Sequence, residues 1–105
     1  MADRSIAKLS CPGSRNNLTV IVGNPQLVPW GVGRPKNTGN CTLFLAAIDG
    51  SGNALHPEQD LQLNPGDQFD WYQPPAGAAQ IVAVCTKDCD AGAGPTILEY
   101  DTPNC

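Results

Sequence analysis

Five cysteines occur in this chain of 105 residues, and two of them, Cys85 and Cys89, are separated by only three residues. The others, Cys11, Cys41 and Cys105, are scattered along the sequence. Reduced cysteines bind metals or carry redox chemistry, whereas bridged cysteines indicate an oxidising compartment. All five are therefore candidate disulfide partners, and they are the first residues to test for chemistry.

The gap between Cys85 and Cys89 suits two ligands of a zinc ion, but zinc needs four ligands. The remaining cysteines and the single histidine, His56, supply no second closely spaced pair. A thioredoxin-type site would need Cys-x-x-Cys at the start of a helix. A blue copper site would need two histidines. We therefore predict disulfide bonds and no cofactor or metal, with a zinc or redox role of Cys85 and Cys89 as an alternative.

No catalytic constellation stands out in the sequence. His56 lies in a turn-like segment, and nothing pairs it with a particular cysteine as a nucleophile would require. Asp49, Ser51 and Asn53 resemble the start of a calcium loop, but Ala54 occupies the position where that loop needs glycine. The sequence therefore predicts a protein that is not an enzyme.

The composition predicts one compact β domain over residues 1–105. Eleven glycines and ten prolines interrupt the chain, and only 15% of its residues are charged. Such a chain is too apolar and too weakly charged to be disordered, and its length is near that of a typical domain. Its Gly and Pro content is typical of strands that alternate with turns.

Short apolar or alternating segments recur between turn residues and predict β-strands. They comprise residues 5–10, 17–22, 41–48, 60–63, 68–72, 81–85 and 96–100. No stretch free of Gly and Pro has helical periodicity. We therefore predict an all-β fold, an antiparallel β-sandwich of about seven to eight short strands, jelly-roll or immunoglobulin-like and stabilised by disulfide bonds.

Period-two alternation assigns one face of each predicted strand to the core. The side chains expected to face inward are Leu18, Val20, Val22, Leu43, Leu45, Leu61, Leu63, Phe69, Trp71, Ile81 and Ala83. Segment 41–48 is apolar on both faces, which predicts a central strand covered on both faces, and segment 81–85 is predicted to be a second buried strand.

Residues 24–40 do not follow the strand pattern. They contain three prolines and three glycines, which predicts a long loop, and loops of this length are usually functional or disordered. Trp30 lies near Arg34 and Lys36, a composition typical of a contact hot spot. With Trp71 and Tyr72, these residues are our candidates for an interaction surface. Alternatively, Trp30 and Leu27 fold back to cap one end of the sandwich.

Charge is distributed unevenly along the chain. Residues 1–48 carry five basic residues against Asp3 alone, a charge of +4, whereas the remainder carries Lys87 against nine carboxylates, a charge of −8. Separate basic and acidic faces would suit head-to-tail contacts between copies. Alternatively, basic and acidic strands are neighbours in one sheet. Nucleic acid is not an expected partner, because the basic residues are few and dispersed.

No signal peptide is visible at the N-terminus. The longest apolar run, Leu43–Ile48, is far shorter than the roughly 20 residues that span a bilayer, so no membrane span is expected. A cysteine-rich chain without a visible signal fits a mature secreted domain with an added Met, a cytosolic thiol protein, or a particle that is assembled in a cell and released. Virion surfaces are among the places where disulfides persist. We therefore expect an extracellular or virion-surface location.

Together these features predict a structural or interaction protein. It would be a subunit of an extracellular or virion-type assembly, for example a capsid-decorating cement protein, which contacts itself or a lattice of another subunit. The alternative is a secreted ligand-binding or carbohydrate-binding sandwich in which Trp30, Trp71 or Tyr72 stacks on a sugar.

Overall fold

The computed structural model describes residues 4–9, 19–85 and 96–101. Within these ranges the chain forms nine β-strands and two single-turn 3-10 helices, with no α-helix. The strands are β1 (Arg4–Leu9), β2 (Thr19–Val22), β3 (Val32–Asn37), β4 (Leu43–Ile48), β5 (Ala54–Leu55), β6 (Leu61–Leu63), β7 (Trp71–Tyr72), β8 (Gln80–Cys85) and β9 (Thr96–Asp101). The 3-10 helices are Val28–Trp30 and Pro57–Gln59. The predicted all-β class is confirmed.

The strands form two antiparallel sheets. Sheet A has the order β1-β9-β3-β7, and sheet B has the order β2-β8-β4-β5, with β6 also paired to β4. Early strands therefore pair with late ones: β1 with β9, β2 with β8, and β3 with β7. The predicted central position of β4 in its sheet is confirmed, and β8, predicted as a second buried strand, is also an inner strand. None of the described residues forms a helix long and apolar enough to cross a membrane.

The apolar core lies between the two sheets in a sandwich-like arrangement. Its fully buried members come from both sheets: Val32 and Leu98 from sheet A, and Leu43, Leu45, Leu63 and Ile81 from sheet B. Burial of one such side chain contributes about 1.5–3 kcal/mol. The inward positions predicted for β4 and β8 are confirmed. On the other face of β4, Phe44 and Ala46 are only half-buried.

Val20 was predicted to face the core but is exposed. The pairing of β2 with β8 shifts by one residue between Val20 and Val22. Such a β-bulge adds an unpaired residue and breaks the strict alternation of a strand. Ile21 and Val22 are both buried as a result. Leu18 lies outside the described residues.

The prediction that Phe69 and Trp71 face the core is also wrong. Both are exposed, whereas Tyr72 is buried and only 6% accessible. Tyr72 lies opposite Val32 in the β3–β7 pair, and directly opposed residues project to the same face of a sheet. Because Val32 is fully buried, Tyr72 faces inward with it and Trp71 faces outward. This is a slip of one residue.

Residues 24–40 are not the long loop that their Pro and Gly content predicted, because they contain β3, an inner strand of sheet A. Gly33 lies opposite Asp101 and Lys36 opposite Glu99, so β3 carries one residue more than β9 over this interval. The extra residue is a β-bulge, in which Arg34 adopts a positive φ of 45°. The bulge interrupts the ladder at Pro35, which has no N–H to donate.

Candidate functional site

The cysteines and the histidine do not form a site in the part of the chain that is described. Cys41 and Cys85 are both buried, whereas Cys11, Cys89 and Cys105 lie outside the described residues. Nowhere in residues 4–9, 19–85 and 96–101 do three or more His, Cys, Asp or Glu side chains group as metal ligands would. The zinc or redox alternative stays a prediction, because it needs Cys89.

The outer face of sheet A, in contrast, brings together most of the predicted interaction residues. We use this name for Arg4, Ile6 and Lys8 on β1, Gly33, Arg34 and Lys36 on β3, Trp71 on β7, and Ile97, Glu99 and Asp101 on β9. Strand register arranges them in rows: Asp101 lies between Arg4 and Gly33, and Gly33 lies opposite Trp71. Arg34, Lys36 and Trp71, distant in sequence, therefore share one surface.

Asp101 is the centre of an ion network on this face. Arg34 donates two hydrogen bonds to its carboxylate, at 2.6 Å from Nε and 3.1 Å from Nη2. Nη1 of Arg4 lies 3.3 Å from Oδ1 of Asp101 and donates to the carbonyl oxygen of Arg34 at 2.8 Å. The hydrogen bond from Arg34 lowers the pKa of Asp101 and raises that of Arg34. Exposed pairs add little stability, so the network serves mainly to orient two guanidinium groups.

Positive charge predominates on this face. All four basic residues of the described ranges, Arg4, Lys8, Arg34 and Lys36, lie on it with only two carboxylates, and acidic β9 runs between basic β1 and β3. The two halves of the sequence therefore interleave in one sheet, so the face is not purely basic. Within the described ranges, neither lysine forms an ion pair with a carboxylate.

Trp71 is held flat against β3. A Cβ atom added to Gly31 would lie 2.8 Å from Nε1 of Trp71, and one added to Gly33 would lie 3.4 Å from Cζ3. Nε1 donates to Oε1 of Gln73 at 3.2 Å, and Nε2 of Gln73 donates to the carbonyl oxygen of Pro29 at 2.8 Å. One side of the indole thus covers glycine backbone, while 51% of the residue stays accessible. The ring is a fixed aromatic platform.

Trp30 lies at the same corner of the molecule, since it is flanked in the chain by Pro29 and Gly31. It is 52% exposed, so it is not buried as a cap on the sandwich, whereas Leu27 is half-buried against the core. Next to this corner is a cavity of about 270 Å³ lined by Val28, Pro29, Gln73, Pro74, Pro75, Ala76, Gly77 and Ala78. Tyr72, the remaining aromatic candidate, faces the core and is not available for stacking.

Of the outer face of sheet A, sequence reasoning selected only Arg34, Lys36 and Trp71. It missed the residues that β1 and β9 contribute, among them Ile6 and Asp101. The alternation Gly31-Val32-Gly33 is the sequence feature that could have predicted the position of the Trp71 indole. It leaves one face of a strand without side chains, and glycine in a strand often marks close approach of another group.

Burial of both tyrosines of the chain gives a direct test of the Tyr72 orientation. Burial, with the nearby charge of Asp60, raises the pKa of Tyr72 to about 12, and burial also raises the pKa of Tyr100. Folding therefore favours the neutral form of both tyrosine side chains. The free energy of unfolding should fall as the pH rises above about 10, the pKa of tyrosine in the unfolded chain. A spectrophotometric titration should show the step near 12 disappear in Tyr72→Phe. Ionisation of both phenols near 10 in the folded protein would contradict this placement.

Three features bear on function: the fixed Trp71 platform, the Asp101 network, and the apolar cavity that Pro29 and Gln73 help to line. No family model, no curated protein and no solved structure matches this chain. A function has to be inferred from those three features and from the fold.

Proposed function

We propose that this chain is a non-catalytic structural and interaction protein that docks through the outer face of sheet A. It serves as a subunit of an extracellular or virion-type assembly, for example as a capsid-decorating protein. The observation that carries the proposal is the fixed, half-exposed indole of Trp71 beside the oriented guanidinium of Arg34. Trp and Arg are enriched among residues that dominate binding energy, and a preorganised side chain loses little entropy on binding.

A jelly-roll topology is part of this proposal, and the strand pairing supports it. The first strand pairs with the last, the second with the second to last, the third with β7, and β4 with β5 and β6. This is the pattern of one long antiparallel ribbon rolled into two sheets. Jelly rolls occur in viral capsid proteins and in lectins, which is support by analogy of fold alone.

Disulfide bonds at Cys41 and Cys85 are a further part of the proposal. No two cysteines of the described residues lie at bonding distance from each other, so each partner would be Cys11, Cys89 or Cys105. The backbone of Cys41 is held by Thr96, whose hydroxyl accepts from its N–H and donates to its carbonyl oxygen, both at 3.1 Å. Such a fixed, buried position suits a covalent link.

The disulfide proposal predicts an intact mass about four hydrogens below that of the fully reduced chain, because two bonds form among five cysteines. Under denaturing conditions without reductant, a thiol reagent should label one cysteine. The same preparation treated with reductant is the control and should show five labelled sites. Five labels without reductant would contradict both the disulfide bonds and the oxidising compartment.

The location is tested by quantitative mass spectrometry of material from the source of the chain. Peptides should be enriched in the medium or in purified particles relative to the cell lysate, with an abundant intracellular protein as the control for leakage. Enrichment in the lysate alone would contradict the proposed assembly.

Carbohydrate binding is the second candidate function, and the Trp71 platform favours it specifically. A flat aromatic face fixed against backbone can stack on the apolar face of a sugar ring. A glycan array should then show binding that Trp71→Ala abolishes. Phe69→Ala removes another exposed aromatic ring of the same edge and is the matched control. An array without signal for the wild-type chain would remove this candidate.

A further inference from the structure

We propose that copies of this chain associate head to tail through the opposite edges of sheet A. The proposal rests on the proposed function, and it identifies a second copy of the chain as the partner in one contact of that assembly. Among the strands of the described residues, β1 and β7 are the two outermost of sheet A, and each edge carries exposed apolar side chains beside charges of one sign.

The β1 edge presents an apolar side chain between two cations. Ile6 is 67% exposed, more than any other exposed large apolar side chain of the described residues. Arg4 and Lys8 flank it on the same face of the strand. Arg4 is engaged with Asp101, whereas Lys8 forms no ion pair with a described carboxylate. A partner for this edge should combine apolar surface with a carboxylate.

Residues 67–72, which we call the β7 edge, have that combination. Phe69 and Trp71 are exposed there, and the carboxylates Asp67 and Asp70 are exposed beside them. The backbone of this segment is fixed to β3, since the N–H of Phe69 donates to the carbonyl oxygen of Pro35 at 3.0 Å and the N–H of Arg34 donates to the backbone carbonyl oxygen of Asp70 at 2.9 Å. The carboxylate of Asp67 already accepts from the N–H of Asn64 at 3.0 Å. Asp70 is therefore the better counterpart for Lys8.

The two edges complement each other in charge and in apolar character, but neither complements itself. Two β1 edges would bring basic side chains together, and two β7 edges would bring carboxylates together, which disfavours a symmetric dimer. Contact between unlike edges is heterologous, and such contacts generate closed rings or open filaments. The geometry thus points to a ring or filament in which sheet A of one copy lies beside sheet A of the next.

The test is a charge exchange followed by sedimentation velocity over a concentration series. Wild-type chain should sediment faster as concentration rises, and more salt should weaken this association. Lys8→Glu and Asp70→Lys alone should each weaken association about tenfold, and the double variant should recover most of the loss, since close interfacial charge pairs are coupled. Glu58→Lys makes the same charge change as Asp70→Lys at an exposed residue that belongs to neither edge, and should leave association unchanged.

The outcomes separate this contact from the proposed function. The head-to-tail contact is overturned if the wild-type chain remains monomeric, or if its association is insensitive to both single substitutions. Neither result bears on docking to a lattice of another protein, which is tested separately. Single variants are compared by circular dichroism first. If one is unfolded, Lys8→Ala and Asp70→Asn replace the reversals, and each should weaken association in the same direction.

Discussion

Replacing Asn37 with alanine should lower the free energy of unfolding by about 3 kcal/mol or more, since each buried polar group that loses its partner costs about 1–3 kcal/mol. Asn37 is 0% exposed. Its Nδ2 donates to the carbonyl oxygens of Cys41 at 2.7 Å and Leu63 at 2.9 Å, and its Oδ1 accepts from the N–H of Gly39 at 2.9 Å. The side chain thus ties β3 of sheet A to β6 of sheet B, and truncation releases three bonds together.

Asn37→Asp keeps the shape of the side chain but replaces the donor with a carboxylate oxygen that faces two carbonyl oxygens. Burial raises the pKa of such a carboxyl group. Folding then favours the protonated form of Asp at this position. The stability of Asn37→Asp should therefore be closest to that of wild type below pH about 4, and it should fall as the pH rises past that value. Asn37→Ala should show no such dependence relative to wild type.

Urea denaturation of wild type, Asn37→Ala and Asn37→Asp across pH measures both effects. Asn53→Ala is the matched control, because Asn53 is exposed, and surface substitutions of this kind change stability by about 0.5 kcal/mol or less. Equal stability of Asn37→Ala and Asn53→Ala would show that Asn37 does not connect the sheets.

Gly31→Ala should destabilise the protein by about 2–4 kcal/mol, the combined cost of a positive φ for a residue with a Cβ and of overpacking. Gly31 has φ of 73°, and a Cβ there would overlap the carbonyl oxygen of Tyr72 and lie 2.8 Å from Nε1 of Trp71. The carbonyl belongs to the paired strand β7, so relief requires β3 and β7 to separate. Loss of the indole platform should accompany the loss of stability.

Gly52→Ala is the matched control for Gly31→Ala. Gly52 has a similar φ of 86°, but a Cβ added there would meet no other atom within 4 Å, so only the backbone cost of about 1 kcal/mol remains. Urea denaturation gives the two stabilities, and tryptophan fluorescence reports on Trp71. If both variants lose the same stability and keep wild-type fluorescence, the indole does not lie over Gly31.

The sequence predicts the class of fold because its strands are separated by strong turn residues. Leu43 and Leu45 alternate with less buried neighbours, and this alternation survives because β4 is regular and central. At Val20 and at Pro35 the alternation fails. Both positions adjoin a bulge, and a bulge depends on the partner strand, which local sequence does not specify.

The interaction surface was predictable only in part, because local sequence does not specify which strands pair. Trp30, Arg34 and Trp71 are residue types that suit contacts, so composition alone selects them. Their assembly on one face, however, follows from the pairing of β3 with β7 and β9, strands far apart in the chain. The pairing of Arg34 with Asp101, across 67 residues, is a property of the sheet register. No local pattern contains it.

The most direct test of the docking surface is hydroxyl-radical footprinting of the chain, first isolated and dilute, then within the purified particle or extracellular material that contains it. We predict that oxidation of Trp71 falls severalfold on assembly, because the docking surface centred on that ring is covered, while oxidation of Phe44 on the outer face of sheet B changes little. Equal oxidation of Trp71 in the isolated and assembled states would contradict docking through the outer face of sheet A.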